Sequence, residues 1–344
     1  MERKNYYALD IAKFISAFLV ICIHCGPLLD VSETGNFVLV QIIARLAVPF
    51  FFVASGFLLF QKIDLQREWN DYENKAKLKH YVGRLCKIYL IWTILYLPFN
   101  YLLVSENGIS LMEILRYLRD FFFTGSYYHL WFLPALIVAV VIVYGLLFLV
   151  GLQKTIWISF ILYLLGMAGN VYADFILQLP LMGKLLDIYL KVFSTTRNGL
   201  FFGVLFVVIG AVFAKRNFYF KNRYVVLGGL TSIILLFVEC FLLREYGFMN
   251  DLTSMYLMNI PCMFFIFLFL LRLNLKKHKI YKTLRVMSLL IYVMHVMVIN
   301  VVVKVAPTMH SLAVYGIVVF VTVLLSLLLY LISKKVRIVR HLYA

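Results

Sequence analysis

The sequence contains little charge for its length. Asp, Glu, Lys and Arg make up only 14% of the 344 residues, whereas 64% are hydrophobic. Soluble domains average roughly 25% charged and 45–50% apolar residues. The composition therefore excludes an ordinary soluble domain and indicates an integral membrane protein in contact with the lipid bilayer.

Acidic residues are scarcer than basic ones. There are 16 Asp and Glu against 33 Lys and Arg, which gives a formal net charge of +17. A basic protein often binds nucleic acid, but here the cations lie in short segments between apolar runs rather than on one patch. We expect no nucleic-acid partner, and we attribute the cations to membrane topology.

The sequence also lacks the patterns of metal sites and of soluble enzymes. Five cysteines, none with metal-ligand spacing or a paired framework, lie within or beside apolar runs: Cys22, Cys25, Cys86, Cys240 and Cys262. There is no P-loop, dinucleotide fingerprint, G-x-S-x-G elbow or H-E-x-x-H motif. We expect no metal and no tightly bound cofactor, so any chemistry must use polar groups inside the membrane.

Apolar runs long enough to cross a bilayer recur along the chain, since a span needs about 20 residues. The runs are Ala8–Leu28, Val38–Phe60, Leu85–Val104, His129–Val150, Ile156–Phe175, Asn198–Ala214, Val225–Leu243, Ser254–Leu271, Val286–Val303 and Leu312–Ser333. No linker or internal repeat divides them, and no signal-peptidase site follows the first. We predict an all-α, multi-pass membrane protein of about ten transmembrane helices, with residues 1–344 forming one domain.

The basic residues predict the orientation of these helices. Most of the 33 fall on alternate connections, which would be cytoplasmic if the N-terminus is cytoplasmic. These segments are the N-terminus with Arg3 and Lys4, Lys62–Lys87, Lys154, Lys215–Arg223, Arg272–Arg285 and the tail from Lys334. Both termini are therefore predicted to be cytoplasmic. On the other side, Ser105–Tyr128 and Ile176–Arg197 are apolar enough to form short interfacial helices.

The first predicted helix carries Asp10, Lys13 and His24. An ionisable side chain at mid-helix costs roughly 2.5–3.5 kcal/mol on insertion scales, so it usually faces the protein interior. Lys13 and His24 lie three helical turns apart, about 16 Å along one stripe. The alternative is that Asp10 and Lys13 form an ion pair and extend to the cytoplasmic interface, while His24 extends outward.

The second predicted helix carries Arg45 at a depth similar to that of His24. Pro49, four residues later, leaves backbone groups that must be satisfied inside protein. We interpret these features as a polar chamber shared by the two helices. If the helices do not face each other, this interpretation fails.

Further candidates for substrate binding lie in later segments, and each has a structural alternative. Ser55 stands beside Gly56, where close helix packing would explain it. An aromatic belt would explain Trp131 near His129, and interfacial solvation would explain Arg197, Asn198 and Glu239. His295, in the ninth run, could equally have a structural role as a neutral imidazole hydrogen-bonded to a carbonyl.

Taken together, these residues resemble the acyltransferase-3 family of bacterial membrane proteins. The matching segments are Lys13 and His24 in its Arg/Lys-x10-His signature, Arg45–Phe52 with Ser55-Gly56-Phe57, His129–Leu133, and Tyr292–His295. The resemblance implies transfer of an acyl group, usually acetyl from cytoplasmic acetyl-CoA, to a cell-surface glycan or similar acceptor at the bacterial plasma membrane. It makes His24 the central catalytic residue. The residues themselves suit such chemistry, because Arg45 can stabilise the developing oxyanion. We place Asp10 and Lys13 on the donor side, where Lys13 and the Lys62–Lys87 segment would meet the CoA phosphates.

One branch of that family offers a rival function. Leu95–Asn100, Gly125–Trp131 and Thr196–Phe201 look like the membrane domain of serine/alanine racemases from vancomycin-resistance operons. The resemblance implies L-serine import for a racemase domain. This sequence has no such domain after its last helix, so we expect no racemase activity, although it could be the membrane half of a longer product. In a permease, Arg45 would bind the carboxylate of the amino acid, and Asp10 or Glu239 its ammonium. The sequence does not identify the acceptor of the acyl group. It is also compatible with a homo-oligomer.

Overall fold

The computed structural model describes residues 6–105, 110–249 and 253–344. Throughout these residues the regular structure is helical, with no strand. The α-helices are α1 (Tyr7–Cys25), α2 (Glu33–Phe37), α3 (Ala47–Phe60), α4 (Tyr72–Ser105), α5 (Leu111–Phe123), α6 (Phe132–Leu149), α7 (Gly151–Ala168), α8 (Ala173–Leu177), α9 (Pro180–Phe193), α10 (Val204–Lys215), α11 (Asn222–Glu245), α12 (Asn259–Arg272), α13 (Ile280–Val305) and α14 (Ser311–Ser333). Arg3, Lys4 and residues 106–109 of the predicted external segment lie outside the described residues.

Eight helical segments of the described chain are long and apolar enough to cross a membrane. They are Tyr7–Cys25, Glu33–Phe60, Tyr72–Asn100, Phe132–Leu149, Gly151–Ala168, Asn222–Glu245, Ile280–Val305 and Ser311–Ser333. Two shorter apolar helices, Gly199–Lys215 and Asn259–Arg272, fall where the sixth and eighth runs are predicted. The all-helical, multi-pass fold is therefore confirmed. The cytoplasmic placement of the two termini stays a prediction.

Some helix boundaries differ from those predicted by hydropathy. α1 ends at Cys25 instead of Leu28, because Gly26 adopts a left-handed conformation with φ of 53° and its N–H bonds to the Cys22 carbonyl. α4 begins at Tyr72 instead of Leu85. Hydropathy detects only the apolar part of a helix, and α4 continues through charged residues beyond that part.

Two stretches of π-helix interrupt the regular pattern. Val38–Ile43 is π-helical and is followed by a short 3₁₀ turn, Ala44–Leu46, before α3 begins. Gly199–Gly203 is π-helical and leads into α10. Such segments are rare and are often found at functional sites. Arg45 lies directly after the first stretch, and Asn198 is the N-cap of the second.

The two segments predicted to be external also form helices. α5 begins with a capping box, in which Ser110 and Glu113 exchange side-chain and backbone hydrogen bonds. α9 begins with a proline at its first turn, a position where the missing N–H costs nothing. Both helices present exposed apolar side chains, such as Leu111 and Leu181. The helices are as predicted, whereas their interfacial location stays a prediction.

The chain divides into two compact units. The first comprises the residues up to Phe51 together with Tyr219–Cys240 and Met258–Ala344. The second comprises Phe52–Phe218 and Phe241–Leu257. Because each unit draws on separate stretches of sequence, neither is a contiguous sequence domain. The prediction of one domain over residues 1–344 stays a prediction.

In the first unit, α1 packs along α13, and both contact α14. Ala17 and Ile21 of α1 meet Met287 and Ile291 of α13 and Val318 of α14 in a buried apolar cluster. Many other apolar side chains point outward, including Phe320, which is 69% exposed. An apolar exterior around a packed interior is what a lipid environment allows.

In the second unit, α3 and α10 approach each other at glycines. A Cβ on Gly56 would overlap the backbone carbonyl of Val207, and a Cβ on Gly210 would overlap the carbonyl of Val53. Since these neighbours are backbone atoms, no side-chain rotation can make room. The small-residue packing considered for Ser55-Gly56 is therefore present.

We predict that Gly56→Ala destabilises the protein by about 1–3 kcal/mol, because α3 and α10 must separate to admit the methyl group. The matched control is Gly145→Ala in α6, where a Cβ would meet nothing within 4 Å. That change should be neutral or stabilising by up to about 1 kcal/mol. Thermal unfolding of the purified protein in nanodiscs measures both, and equal midpoints for the two variants would contradict the close approach.

Candidate functional site

An ion pair joins α1 to α13 in the first unit. Asp10 is buried, and its two carboxylate oxygens accept hydrogen bonds from Nε and Nη2 of Arg285, each at 2.8 Å. One turn earlier, the rings of Tyr7 and Tyr281 stack with centroids 4.7 Å apart. A bidentate arginine satisfies a buried carboxylate better than a single ammonium can. This contact gives Asp10 a partner on a distant helix.

From the sequence, Arg285 counts only as one of the cations of the segment Arg272–Arg285, and it was not predicted as a site residue. The signal was present in the helical period, because Arg285, Ser288, Tyr292 and His295 recur at three- and four-residue steps and so share one face of α13. Hydropathy placed the start of this helix at Val286, one residue too late to include the arginine.

Two histidines meet in the same unit. The imidazole rings of His24 on α1 and His295 on α13 lie with centroids 5.2 Å apart and planes 36° apart. His24 is partly exposed, whereas His295 is completely buried. Both residues are candidates from the sequence alone, but their pairing was not predicted.

A backbone contact fixes the tautomer of His295. Its Nδ1 lies 2.7 Å from the carbonyl oxygen of Tyr292. A carbonyl can only accept, so Nδ1 must carry the proton and donate it. In the neutral ring Nε2 is then the basic nitrogen. The buried histidine is thus held in one orientation and one tautomer beside His24.

These contacts show that α1 and α13 run parallel. Asp10 and Arg285 lie near the beginnings of their helices, and His24 and His295 lie further along each. The ten-residue step from Arg285 to His295 corresponds to about 15 Å. Parallel first and ninth spans agree with the predicted topology, in which both cross the membrane in the same direction.

Arg45 is held by the irregular segment before α3. Its side chain is buried, and Nε donates to Oε1 of Gln41 at 2.9 Å. The π-helical and 3₁₀ turns that carry these two residues pack against α1. The segment that carries Arg45 therefore packs on α1, the helix that carries His24. The interpretation of a polar chamber shared by these two residues requires this packing.

The loop after α1 is tied to the start of α14. Ser311 N–H donates to Oδ2 of Asp30 at 2.6 Å, and Ser311 Oγ donates to the carbonyl of Pro27 at 3.2 Å. The backbone and side-chain hydrogen bonds from Ser311 hold the pKa of Asp30 below its usual value. This contact fixes the end of α1 just beyond His24.

Glu239, another predicted binding residue, has a structural contact in the first unit. Its Oε2 accepts a hydrogen bond from the backbone N–H of Met258 at 2.8 Å. Met258 is the N-cap residue of α12, where backbone N–H groups lack helical partners. The carboxylate therefore stabilises the start of a helix.

The second unit contains the remaining candidates, and His129 is the most buried of them. Its ring lies 4.9 Å from that of Tyr96 and 5.8 Å from those of Tyr127 and Tyr128, measured between centroids. Only 2% of His129 is exposed. Elsewhere in this unit, Ser55 shares a hydrogen bond with Tyr81.

Arg197 and Asn198 have different surroundings although they are adjacent. The guanidinium of Arg197 lies 5.0 Å from the ring centre of Trp131, a cation–π contact. Asn198 caps the π-helical turn, because its Oδ1 accepts from the N–H groups of Leu200 and Phe201. Its Nδ2 donates to the hydroxyl of Tyr189 at 2.7 Å.

We predict that Asn198→Ala lowers the free energy of unfolding by about 1 kcal/mol through loss of this cap. Asn198→Asp keeps the accepting oxygen of the cap and loses only the hydrogen bonds that Nδ2 donates to the Tyr189 hydroxyl and the Thr195 carbonyl, so its stability should stay closer to that of the wild type. Thermal unfolding in nanodiscs compares the two. An alanine variant as stable as the wild type would show that the cap is unimportant.

The candidate residues thus fall into two groups. Asp10, Lys13, His24, Arg45, Glu239 and His295 belong to the first unit, and Ser55, His129, Trp131, Arg197 and Asn198 to the second. Among the described residues there is no cluster of three or more His, Cys, Asp or Glu arranged to hold a metal ion. The buried histidine contact makes the first unit the stronger candidate for chemistry.

Comparison with models of known protein families shows which family the chain belongs to. The acyltransferase-3 model, described as an acyltransferase domain, matches residues 6–331. This chain belongs to the acyltransferase-3 family. The match includes all eleven candidate residues, and it confirms the resemblance inferred from the sequence.

Curated relatives of this acyltransferase-3 protein are longer proteins. Two amino-acid racemases from Enterococcus faecalis are 30% and 32% identical over 80% and 96% of this chain, covering 37% and 47% of their own lengths. A serine/alanine racemase from Enterococcus gallinarum is 29% identical over 83% of the chain and 40% of its own length. The chain therefore spans less than half the length of these relatives. No solved structure matches it.

Two basic segments of this acyltransferase-3 chain differ in how their cations are used. In the connection between α3 and α4, Arg67 forms ion pairs with Asp64, Asp71 and Glu73 at 3.0 to 3.4 Å. By contrast, the segment Arg272–Arg285 contains no acidic residue. The first segment is held together by internal ion pairs, whereas the second has an excess of positive charge.

Proposed function

We propose that this chain is a bacterial plasma-membrane acyltransferase. It moves an acyl group, acetyl by preference, from cytoplasmic acyl-CoA to a hydroxyl or amine of a cell-envelope glycan or similar acceptor. The observation that carries the proposal is the contact of His24 with the buried, single-tautomer His295. Membership in the acyltransferase-3 family supports it.

His24 acts as the general base in this mechanism. An imidazole has a pKa near neutrality, so it can take the proton of an acceptor hydroxyl as the oxygen attacks the thioester carbonyl. A new C–O bond forms, the C–S bond breaks, and the CoA thiolate leaves with the proton from His24. His295, whose ring lies against that of His24, orients the His24 imidazole through this contact.

Arg45 supplies positive charge for the transition state. As the carbonyl carbon becomes tetrahedral, its oxygen becomes an oxyanion, which a preorganised donor stabilises without reorganising at the moment of reaction. Gln41 accepts from Nε of Arg45 and fixes the plane of the guanidinium. A buried arginine held in this way suits electrostatic stabilisation better than a flexible surface cation does.

Transport of a small amino acid is the second candidate, favoured by the names of the relatives, which include a serine/alanine racemase. In that function Arg45 binds the carboxylate, and Asp10 or Glu239 binds the ammonium. Both of those carboxylates already accept hydrogen bonds, Asp10 from Arg285 and Glu239 from the backbone of Met258. This arrangement favours acyl transfer over amino-acid binding.

The purified full chain in lipid vesicles distinguishes the two candidates. Radiolabelled acetyl-CoA with cell-envelope glycans as acceptors should yield labelled glycan and free CoA, and vesicles without protein serve as the control. Radiolabelled L-serine should not accumulate in the same vesicles. Saturable serine uptake that needs no CoA, without any acyl transfer, would replace the proposed function with the transport candidate.

A further inference from the structure

We infer that the basic surface around Arg285 binds the nucleotide end of the acyl donor, that is, a ligand carrying several phosphates and a purine ring. The inference rests on the proposed function, since the donor there is an acyl-CoA. It assigns a binding site to residues that the sequence analysis treated only as topology signals. The surface consists of Arg285, Lys282 and the lysines of the preceding connection, Lys276, Lys277 and Lys279.

The charges on this surface are not neutralised. All four lysines are exposed, and none of them forms an ion pair with any described residue. The segment Arg272–Arg285 contains no acid, and the carboxylate that reaches it, Asp10, is buried and bonded to Arg285. A cluster of cations without acids attracts a polyanion over a range of about 10 Å.

Arg285 is suited to bind a phosphate because it is both anchored and accessible. Asp10 holds Nε and Nη2, so the plane of the guanidinium is fixed. Half of the side chain, 52%, remains exposed, and among the described residues Nη1 has no acceptor. An arginine fixed in this manner loses little freedom when it binds an anion.

An aromatic surface accompanies these charges. Tyr281 lies one turn before Arg285 on α13, and its ring stacks on that of Tyr7. The imidazole of His278 lies edge-on to Tyr281 at 6.4 Å between centroids. Both tyrosine rings are only partly buried, so part of this aromatic surface remains accessible to a further planar group. A surface with cations for phosphates and aromatic rings for a planar base fits the nucleotide end of CoA better than it fits a phospholipid headgroup, which has no planar base.

The distance to the histidines fits the rest of the donor. Arg285 and His295 are ten residues apart on one helix, about 15 Å along its axis. The extended pantetheine arm that joins the nucleotide of CoA to its sulfur is about 20 Å long from standard bond lengths. A nucleotide bound at Arg285 can therefore present its thioester at the level of His24 and His295.

The connection between α3 and α4 does not offer an equivalent surface. Arg67 is bound by three carboxylates, and Lys77 lies 3.7 Å from Glu73. Four acids alternate with the cations of this connection and of the first turn of α4, namely Asp64, Glu68, Asp71 and Glu73. Its field is therefore weak, although the sequence analysis grouped it with the other basic segments.

Binding of CoA to the full chain in phosphatidylcholine nanodiscs tests the inference. The variants are Lys276→Gln with Lys277→Gln and Lys279→Gln, then Lys282→Gln, and finally the neutral pair Asp10→Asn with Arg285→Gln. We expect the Kd for CoA to rise roughly 3- to 10-fold in the lysine variants and at least about tenfold in the neutral pair. The Kd for pantetheine, which lacks the nucleotide, should not change.

Lys79→Gln is the matched control, because Lys79 is an exposed lysine of α4 that forms no ion pair with any described residue. Its Kd for CoA should equal that of the wild type. Unchanged CoA binding in all variants of the Arg285 surface overturns the inference. So does a result in which those variants reduce only the retention of phosphatidylglycerol, since the surface would then contact anionic lipid.

Acetyl transfer, measured on the same samples, separates this inference from the proposed function. CoA binding that depends on the Arg285 surface, without transfer to any acceptor, leaves the nucleotide site standing and contradicts the acyltransferase. Transfer that proceeds with an unaltered KM for acetyl-CoA in the lysine variants retains the acyltransferase and overturns the site.

Discussion

His24→Ala is expected to reduce kcat for acyl transfer by roughly 10²- to 10⁴-fold, the contribution of a positioned general base. The KM for acetyl-CoA should change much less, because the proposed mechanism places His24 at the reacting group rather than at the nucleotide. The neighbouring His295 lies 5.2 Å away between ring centroids and cannot move into the place of His24, since its Nδ1 is bonded to the Tyr292 carbonyl. Initial rates of CoA release in nanodiscs, with glycan acceptors present, measure the effect.

His80→Ala is the control for this experiment. His80 is an exposed residue of α4, outside the contacts described for His24. Its removal should leave both kinetic constants near those of the wild type, and thermal unfolding should show that both variants remain folded. A His24→Ala protein that is folded and fully active would remove the general base from the mechanism.

Arg285→Gln is expected to destabilise the protein by about 3 kcal/mol, because it leaves the buried carboxylate of Asp10 without its ionic partner. The value lies at the low end of the range for broken buried pairs, since half of the Arg285 side chain is exposed. Adding Asp10→Asn should restore most of the lost stability, because two neutral amides can still bond to each other. Chemical denaturation in detergent micelles measures the three variants.

Lys282→Gln serves as the matched control for the ion pair, since it removes a cation one turn away that has no described partner. It should change the unfolding free energy by less than about 0.5 kcal/mol. If Arg285→Gln is no more destabilising than Lys282→Gln, or if the double variant is less stable than either single variant, the pair does not hold α1 against α13.

The fold was largely predictable from the sequence, because each membrane-spanning helix requires a long run of apolar residues, and such runs can be read directly. Each of the eight long helices and the two shorter ones overlaps one of the ten predicted runs. What hydropathy could not supply was local backbone geometry. The π-helical turns before Arg45 and after Asn198 depend on how each segment packs, and their sequences are as apolar as ordinary helix.

The individual residues of the candidate site were predictable from the sequence, but the contacts between them were not. Asp10, His24 and His295 stood out because ionisable groups are costly in a membrane. Their contacts join residues about 270 positions apart, and no local pattern encodes such a pairing. The cap at Asn198 and the ion pairs of Arg67 carried readable signals, respectively an Asn before a helix and acids alternating with bases.

A double-mutant cycle on His24 and His295 is the most direct measurement of the claim that acyl transfer takes place where these two rings meet. It compares kcat/KM for the wild type, His24→Ala, His295→Ala and the double variant. If His295 acts by orienting His24, the double variant should be no slower than His24→Ala alone, because residues that act as a unit are strongly non-additive. Losses that multiply, with each histidine contributing equally in the absence of the other, would contradict the claim.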